Sequence, residues 1–311
     1  MIGVFEGGNI MEEAPVSGEL LPEQQERLDA LLAEIRDIRP LPAIAARVLS
    51  MSEGEQFSAQ HLAELIRVDQ ALSVRLLRLA NSPVYGMPRR VTTLRDAVVL
   101  LGFRELRSLA VASCVVDASI VTKQDFDYPA FWMNSFAVAN FAAALAELLG
   151  CEKDEAFMAG VVHNVGRLAW AQFRPSWLQL AVGVARRSGH NLHDVQRELF
   201  GFSDAETGGF IARQWQYPEA LCEAVSMHDG PRSGDDPAGM RLATVVRRAA
   251  RFAHAHRIND GMDPDSRAGV EQDWSHPRVR NALQAAGGVP GILKRAEEFV
   301  TASGLVVPAA S

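Results

Sequence analysis

From Leu21 to near the carboxy terminus, apolar residues recur at helical spacing almost without interruption, and this periodicity constrains the fold more than any other feature. Leu62, Leu65 and Ile66 form one stripe, and Leu72, Leu76, Leu77 and Leu79 continue it. Spacing of this kind gathers side chains on one helical face, whereas a strand needs strict alternation. No sustained alternation occurs, so the sequence predicts an all-α fold. Helix entrances agree: Ser58 precedes AQHLAELI, Thr93 precedes LRDAVVLL with Asp96 three residues on, and Ser203 precedes DAETGGFIARQW with Glu206 likewise placed. Stops agree as well, with Asn81-Ser82-Pro83 ending one helix and Gly150 following the run Phe136 to Leu149.

A chain of 311 residues can bury a core that needs neither metal nor disulfide. Its three cysteines, Cys114, Cys151 and Cys222, are odd in number and far apart, so they read as free thiols in a reducing compartment. The first residues lack the basic start and cleavage pattern of a secretory signal. No apolar run approaches the roughly 18 residues of a membrane span, and a cytoplasmic protein is expected. Residues 1–37 hold nine acidic and two basic side chains, which accounts for the whole net charge of −7 and leaves the body neutral. That balance argues against bulk attraction to nucleic acid or anionic lipid.

Composition along the chain predicts an acidic, disordered lead at 1–20, an amino-terminal helical lobe at 21–120, a second helical lobe at 121–258, and a loop with carboxy-terminal helices at 259–311. Four Asp and one Glu make Asn259 to Ser275 read as a solvated surface loop, because the ligand spacing of a calcium loop is missing. Neither a P-loop nor a GxGxxG element occurs, no histidine adjoins a cysteine to activate it, and His254 and His256 point to different helical faces.

One segment is more specific. Leu41-Pro42, the helix Ala59 to Val68 ending at Asp69, LLRLANSPVYG at Leu76 to Gly86 and the pattern closing at Leu101-Gly102 occur in order over about seventy residues. FWMNS at Phe131 to Ser135, AGVVHNVGRLAW at Ala159 to Trp170 and the stretch Glu206 to Gly230 continue it. In these elements the chain resembles the HDOD domain, a bacterial signalling relative of the HD phosphohydrolases, across roughly residues 24–230; Gln70 departs from the Pro often found there. The resemblance implies a two-lobed helical bundle of the HD-domain type.

An active HD enzyme carries an early His, an adjacent His-Asp pair and a later Asp as metal ligands. The resemblance places these at Asn134, His163-Asn164 and Ala250. A carboxylate is an anionic oxygen ligand that can bridge two divalent metals, and an amide is not. Three of the four positions therefore lack a strong ligand, and neither catalysis nor a cofactor is expected. His228, before Asp229, reads as a helix cap or as part of the polar lining of the pocket. Asn134, His163, Asn164 and His228 are expected either to form a neutral pocket for a small nucleotide or other ligand, or to satisfy one another in the core.

The expected activity is that of a non-enzymatic signalling or scaffold protein with a protein partner in a bacterial pathway. The candidate interaction surface is Tyr85, Arg89, Arg90 and Arg95, within residues 66–108, where eight Arg face three acidic residues. The alternatives are an HD-type phosphohydrolase with unconventional ligands, and a nucleic-acid regulator working through this segment and the five Arg of Arg241 to Arg257. No helix-turn-helix or aromatic interleaving supports the latter.

Overall fold

The computed structural model describes residues 21–36, 59–67, 70–85, 90–118, 126–215, 217–230, 241–258, 260, 262 and 276–303. The acidic lead, the Leu41-Pro42 and Ser58 signals, Asp69, Gly86, Arg89, residues 231–240 and most of 259–275 lie outside them. All regular structure among the described residues is helical, as the periodicity predicts.

Helices α1 (Pro22–Arg36), α2 (Ala59–Ile66), α3 (Gln70–Ala80) and α4 (Leu94–Ala118) come first. Then follow α5 (Tyr128–Leu145), α6 (Lys153–Val162), α7 (Val165–Phe173), α8 (Pro175–Ser188), α9 (Leu192–Phe200), α10 (Asp204–Gln214) and α11 (Glu219–Met227). The chain ends with α12 (Arg241–Ala255), α13 (Pro277–Ala285) and α14 (Gly288–Ser303). Helices α2, α3 and α4 pack together, while α5 is the hub of the second lobe, contacted by α6, α12, α13 and α14. Helix α5 is apolar on nearly every face, the pattern of a helix surrounded by protein. With its continuation to Leu149 it is long and apolar enough to cross a membrane by composition, yet 67% of that window is buried inside the fold.

The two ends of the chain both dock on the second lobe, and the carboxy-terminal helix also reaches the first. Helix α1 lies against α7 and α10 of the second lobe, and Glu34 grips Arg174 through two hydrogen bonds of 2.7 and 2.8 Å. Helix α14 packs on both α5 and α3, with the Phe299 ring tilted against Phe136, 4.2 Å between centroids.

Local signals act as the sequence predicts. Thr93 accepts from the Asp96 amide, and Ser203 forms a reciprocal capping box with Glu206. Asn81 donates to the Leu77 and Val91 carbonyls and accepts from the Val91 amide, all at 2.8 Å, so LANSP is a corner pinned across ten residues. Helix α4 is two segments meeting at Gly102, whose φ of 78° a side chain would resist.

Candidate functional site

The segment AGVVHNVGRLAW is not one helix: α6 ends at Val162, α7 begins at Val165, and His163-Asn164 forms the joint. At this joint α7 runs so close to α10 that a Cβ on Gly166 would lie 1.8 Å from the Asp204 carbonyl oxygen. Only glycine allows this approach, which sets the next residue, Arg167, beside the first turn of α10.

His163 and His228 are buried, with ring centroids 5.0 Å apart and rings nearly perpendicular. Each Nδ1 lies 2.7 Å from a carbonyl three residues earlier, Gly160 for His163 and Val225 for His228. A carbonyl only accepts, so Nδ1 carries the proton and Nε2 the lone pair in both rings. Burial, reinforced by His228, holds His163 well below the usual imidazole range; burial and His193 lower His228 to about 4. His228 therefore closes α11 with a hydrogen bond, and supplies none of the positive charge that a dipole cap would require. Asn164 is buried and does not cap its own helix. No hydrogen bond reaches its amide or either Nε2 among the described residues.

Asn134 does not face an open pocket with a free amide. Its Nδ2 donates to the Ile258 carbonyl at 2.8 Å and so anchors the chain that delivers Asp260. Ala250 packs half-buried against the core and offers no ligand. Three residues before it, Arg247 is buried, with Nη1 3.0 Å from where a Cβ on Gly230 would stand. Helix α12 thus presents an arginine to the His228–Gly230 turn.

Beside the histidine pair lies a charged cluster that the sequence reading did not anticipate. Arg167, with no exposed side-chain surface, donates from Nε to Asp204 Oδ2 at 2.9 Å and from Nη1 to Asp260 Oδ2 at 2.5 Å. Asp260 is 2% exposed, so this part of the presumed surface loop is interior. His193 Nε2 lies 3.0 Å from Asp204 Oδ1, and its ring is 5.4 Å from that of His228. Gln196 donates to Asp204 Oδ2 and accepts from the Asp204 amide. Asp229 Oδ2 accepts from Arg197 at 2.5 Å and sits 3.9 Å from His193 Nδ1.

Burial opposes charge on His193, but Asp204 and Asp229 outweigh it and raise the imidazole above its ordinary value. Burial likewise opposes ionisation of Asp204, and Arg167 with His193 overrides it, holding the carboxyl well below the usual range. The protonated ring then donates Nε2–H to Asp204, and the Arg167 Nη2 atom 3.1 Å away is a second cation on the same carboxylate. Arg167, Arg197 and protonated His193 balance Asp204, Asp229 and Asp260. His193 Nδ1 and Asp229 Oδ1 are buried without a hydrogen-bond partner, the one loose seam in the cluster.

These residues do not fit an HD metal centre. No group of three or more His, Cys, Asp or Glu among the described residues is arranged to hold a metal ion. Each buried carboxylate is paired with an arginine, and the joint offers an amide at Asn164. Of the surface candidates, Arg90 and Arg95 are exposed and Tyr85 is half-buried against the core. Sequence reasoning missed Arg167, His193, Asp204 and Asp260. One signal was available, an arginine inside the apolar run VGRLAW, four residues after His163.

The HDOD domain family model matches residues 38–231. An uncharacterized protein of Treponema pallidum (strain Nichols) is 25% identical over 208 residues, 66% of this chain; the chain spans only 40% of that relative's length. An HDOD domain protein of unknown function from Geobacter sulfurreducens superposes with a TM-score of 0.68 at 22% identity, covering 91% of this chain and 99% of that one. A Shewanella amazonensis SB2B protein provisionally assigned as a phosphohydrolase gives 0.61 at 27%, covering 89% and 98%. A Marinobacter aquaeolei VT8 protein provisionally assigned to signal transduction gives 0.72 at 20%, covering 93% and 67%.

Proposed function

The chain belongs to the HDOD domain family, and on that premise we propose that it is a non-catalytic bacterial signalling or scaffold protein that works by binding another protein. One observation carries the reading: the three buried carboxylates near His163 are each paired with an arginine of the same chain. A hydrolytic metal centre needs anionic ligands free to bind metal and activate water. Here the anions are spent on internal cations, and the position beside His163 is an amide. The exposed Arg90 and Arg95 of the first lobe remain the candidate docking surface, in a cytoplasmic setting.

The test has two arms. Metal analysis of the purified protein, with a hydrolysis screen on nucleotides and phosphodiesters, is expected to find neither stoichiometric metal nor His163-dependent turnover; finding both overturns the reading. Affinity capture from the native host is expected to recover a specific partner that Arg90→Glu/Arg95→Glu loses. A partner retained by that variant moves the docking surface elsewhere.

A second reading, a small ligand at the joint, draws on the unpaired Nε2 atoms of His163 and His228 and the unpaired Asn164 amide, which favour an uncharged donor-bearing molecule such as a nucleobase. A nucleoside panel in thermal-shift assays checks it, with His163→Ala/His228→Ala as the control.

A further inference from the structure

We infer that the corner joining α3 to α4 is a docking site for an acidic amphipathic helix of another protein, with Val74 and Val99 as its apolar contacts and Arg78, Arg90 and Arg95 as its anion contacts. The inference rests on the scaffold reading and names the chemistry of the partner.

Placement supplies the first argument. Asn81 holds the end of α3 against the entry to α4 through two 2.8 Å hydrogen bonds with the Val91 backbone. Arg90 adjoins Val91, Arg78 stands just before Asn81, and Arg95 lies in the first turn of α4, so all three gather at this corner. Val74 comes six residues before the end of α3 and Val99 five after the start of α4. At the helical rise, each stands about 7–9 Å along its helix from the corner. Val74 with Arg78, and Arg95 with Val99, are spaced one turn apart, so each helix carries a valine and an arginine on one stripe. Both stripes turn away from the buried sides, Leu72, Leu76 and Leu79 on α3 and Ala97, Val98 and Leu101 on α4. The two helices pack on each other, and packed helices stand about 8–10 Å apart, so the stripes border a strip about as wide as one more helix.

Exposure and charge supply the second argument. Val99 is 67% and Val74 59% exposed, the two highest values for large apolar side chains among the described residues. A single exposed valine is ordinary, but here two flank three arginines. Arg78, Arg90 and Arg95 are exposed, and no ion pair reaches them among the described residues, although Asp96 is exposed next to Arg95. Elsewhere on the surface, Arg174 and Arg213 each hold a glutamate. An acidic helix would bring carboxylates to the three guanidinium groups and apolar side chains to the two valines. A polyphosphate strand would be repelled by Asp96 and leave both valines bare.

The experiment pans a phage-displayed library of helical peptides about five turns long, randomised on one face, against the full chain. The expected result is enrichment of peptides with net negative charge and an apolar stripe, bound with an affinity that falls as KCl rises. Arg78→Glu/Arg90→Glu/Arg95→Glu and, separately, Val74→Ser/Val99→Ser should each weaken the selected peptide about tenfold or more. Unchanged unfolding midpoints are the control, and a variant whose midpoint falls is replaced by the milder Arg95→Gln or Val99→Thr, with weakening in the same direction expected. No enrichment, enrichment of basic or neutral peptides, or binding that either variant leaves intact overturns the inference. So does tight binding of a short DNA duplex, or of vesicles of phosphatidylcholine and phosphatidylglycerol, that the arginine variant abolishes and the valine variant leaves unchanged. A native partner recovered by affinity capture but cross-linked to another face also overturns it, and leaves the scaffold reading standing. The scaffold reading fails separately, through stoichiometric metal with His163-dependent turnover, which none of these surface variants alters.

Discussion

The second lobe holds two buried polar regions side by side, and they solve the same problem in opposite ways. The His163–His228 pair stays neutral, each ring fixed by one carbonyl with its other nitrogen unpaired. The cluster around Arg167 stays ionised, six groups balanced and nearly all bonded. His193 touches both, 5.4 Å from His228 on one side and 3.0 Å from an Asp204 oxygen on the other. Similar burial therefore does not dictate charge state; the distance to a carboxylate does. Ionic clusters break hard when one member is lost, whereas neutral histidines resist acid only until they must be charged.

The largest expected effect strikes the ionic side. Asp204→Ala strands Arg167 and His193 and should cost about 3–5 kcal/mol in urea unfolding. A loss below about 1 kcal/mol, the worth of a surface pair, would place the two regions on an equal footing. The next effect separates them by pH. The unfolded chain protonates its histidines near pH 6.5, while folded His228 waits until about 4, so acidification through that window favours unfolding, by up to about 3 kcal/mol. His228→Gln should flatten this acid limb. His193 has the opposite sign: its raised value gives stability that is present below about pH 6.5 and is lost as pH rises through its folded value. His193→Gln should flatten the alkaline limb, and unfolding midpoints at several pH values read both slopes.

Gly166→Ala tests what holds the regions in register, because its Cβ would meet the Asp204 carbonyl oxygen. Forcing α7 from α10 should cost about 1–3 kcal/mol in the same assay. The smallest effect lies outside both regions: Glu34→Ala breaks a half-exposed pair with Arg174 and should cost less than about 1 kcal/mol.

The fold was legible because periodicity and caps act locally. Thr93, Ser203 with Glu206, Asn81 and Gly150 each perform within a few residues, or one corner, of where they stand in the chain. The site was legible only where it reports ancestry. His163, Asn164 and His228 were found through the family pattern, whereas Arg167 draws Asp204 from 37 residues away and Asp260 from 93. No periodicity encodes such a pairing. Asp260 was hidden by its company, since an acidic stretch reads as solvated and one buried member leaves that reading intact. The charged neighbours of the histidine pair were hidden for the same reason, because helix-surface statistics send charges outward unless a partner is known.

The way α12 and α14 close the core bears on how this module can be inherited or handled. The family match ends at residue 231, yet Phe252 packs on Phe141, Phe299 on Phe136, and Asp260 supplies one of the two carboxylates on Arg167. A fragment cut at the family boundary would bare the hub helix and leave its innermost arginine half-neutralised. The portable unit is longer than the recognisable one, so the carboxy-terminal helices must travel with the matched segment in any fusion, truncation or shuffled gene that is to stay folded.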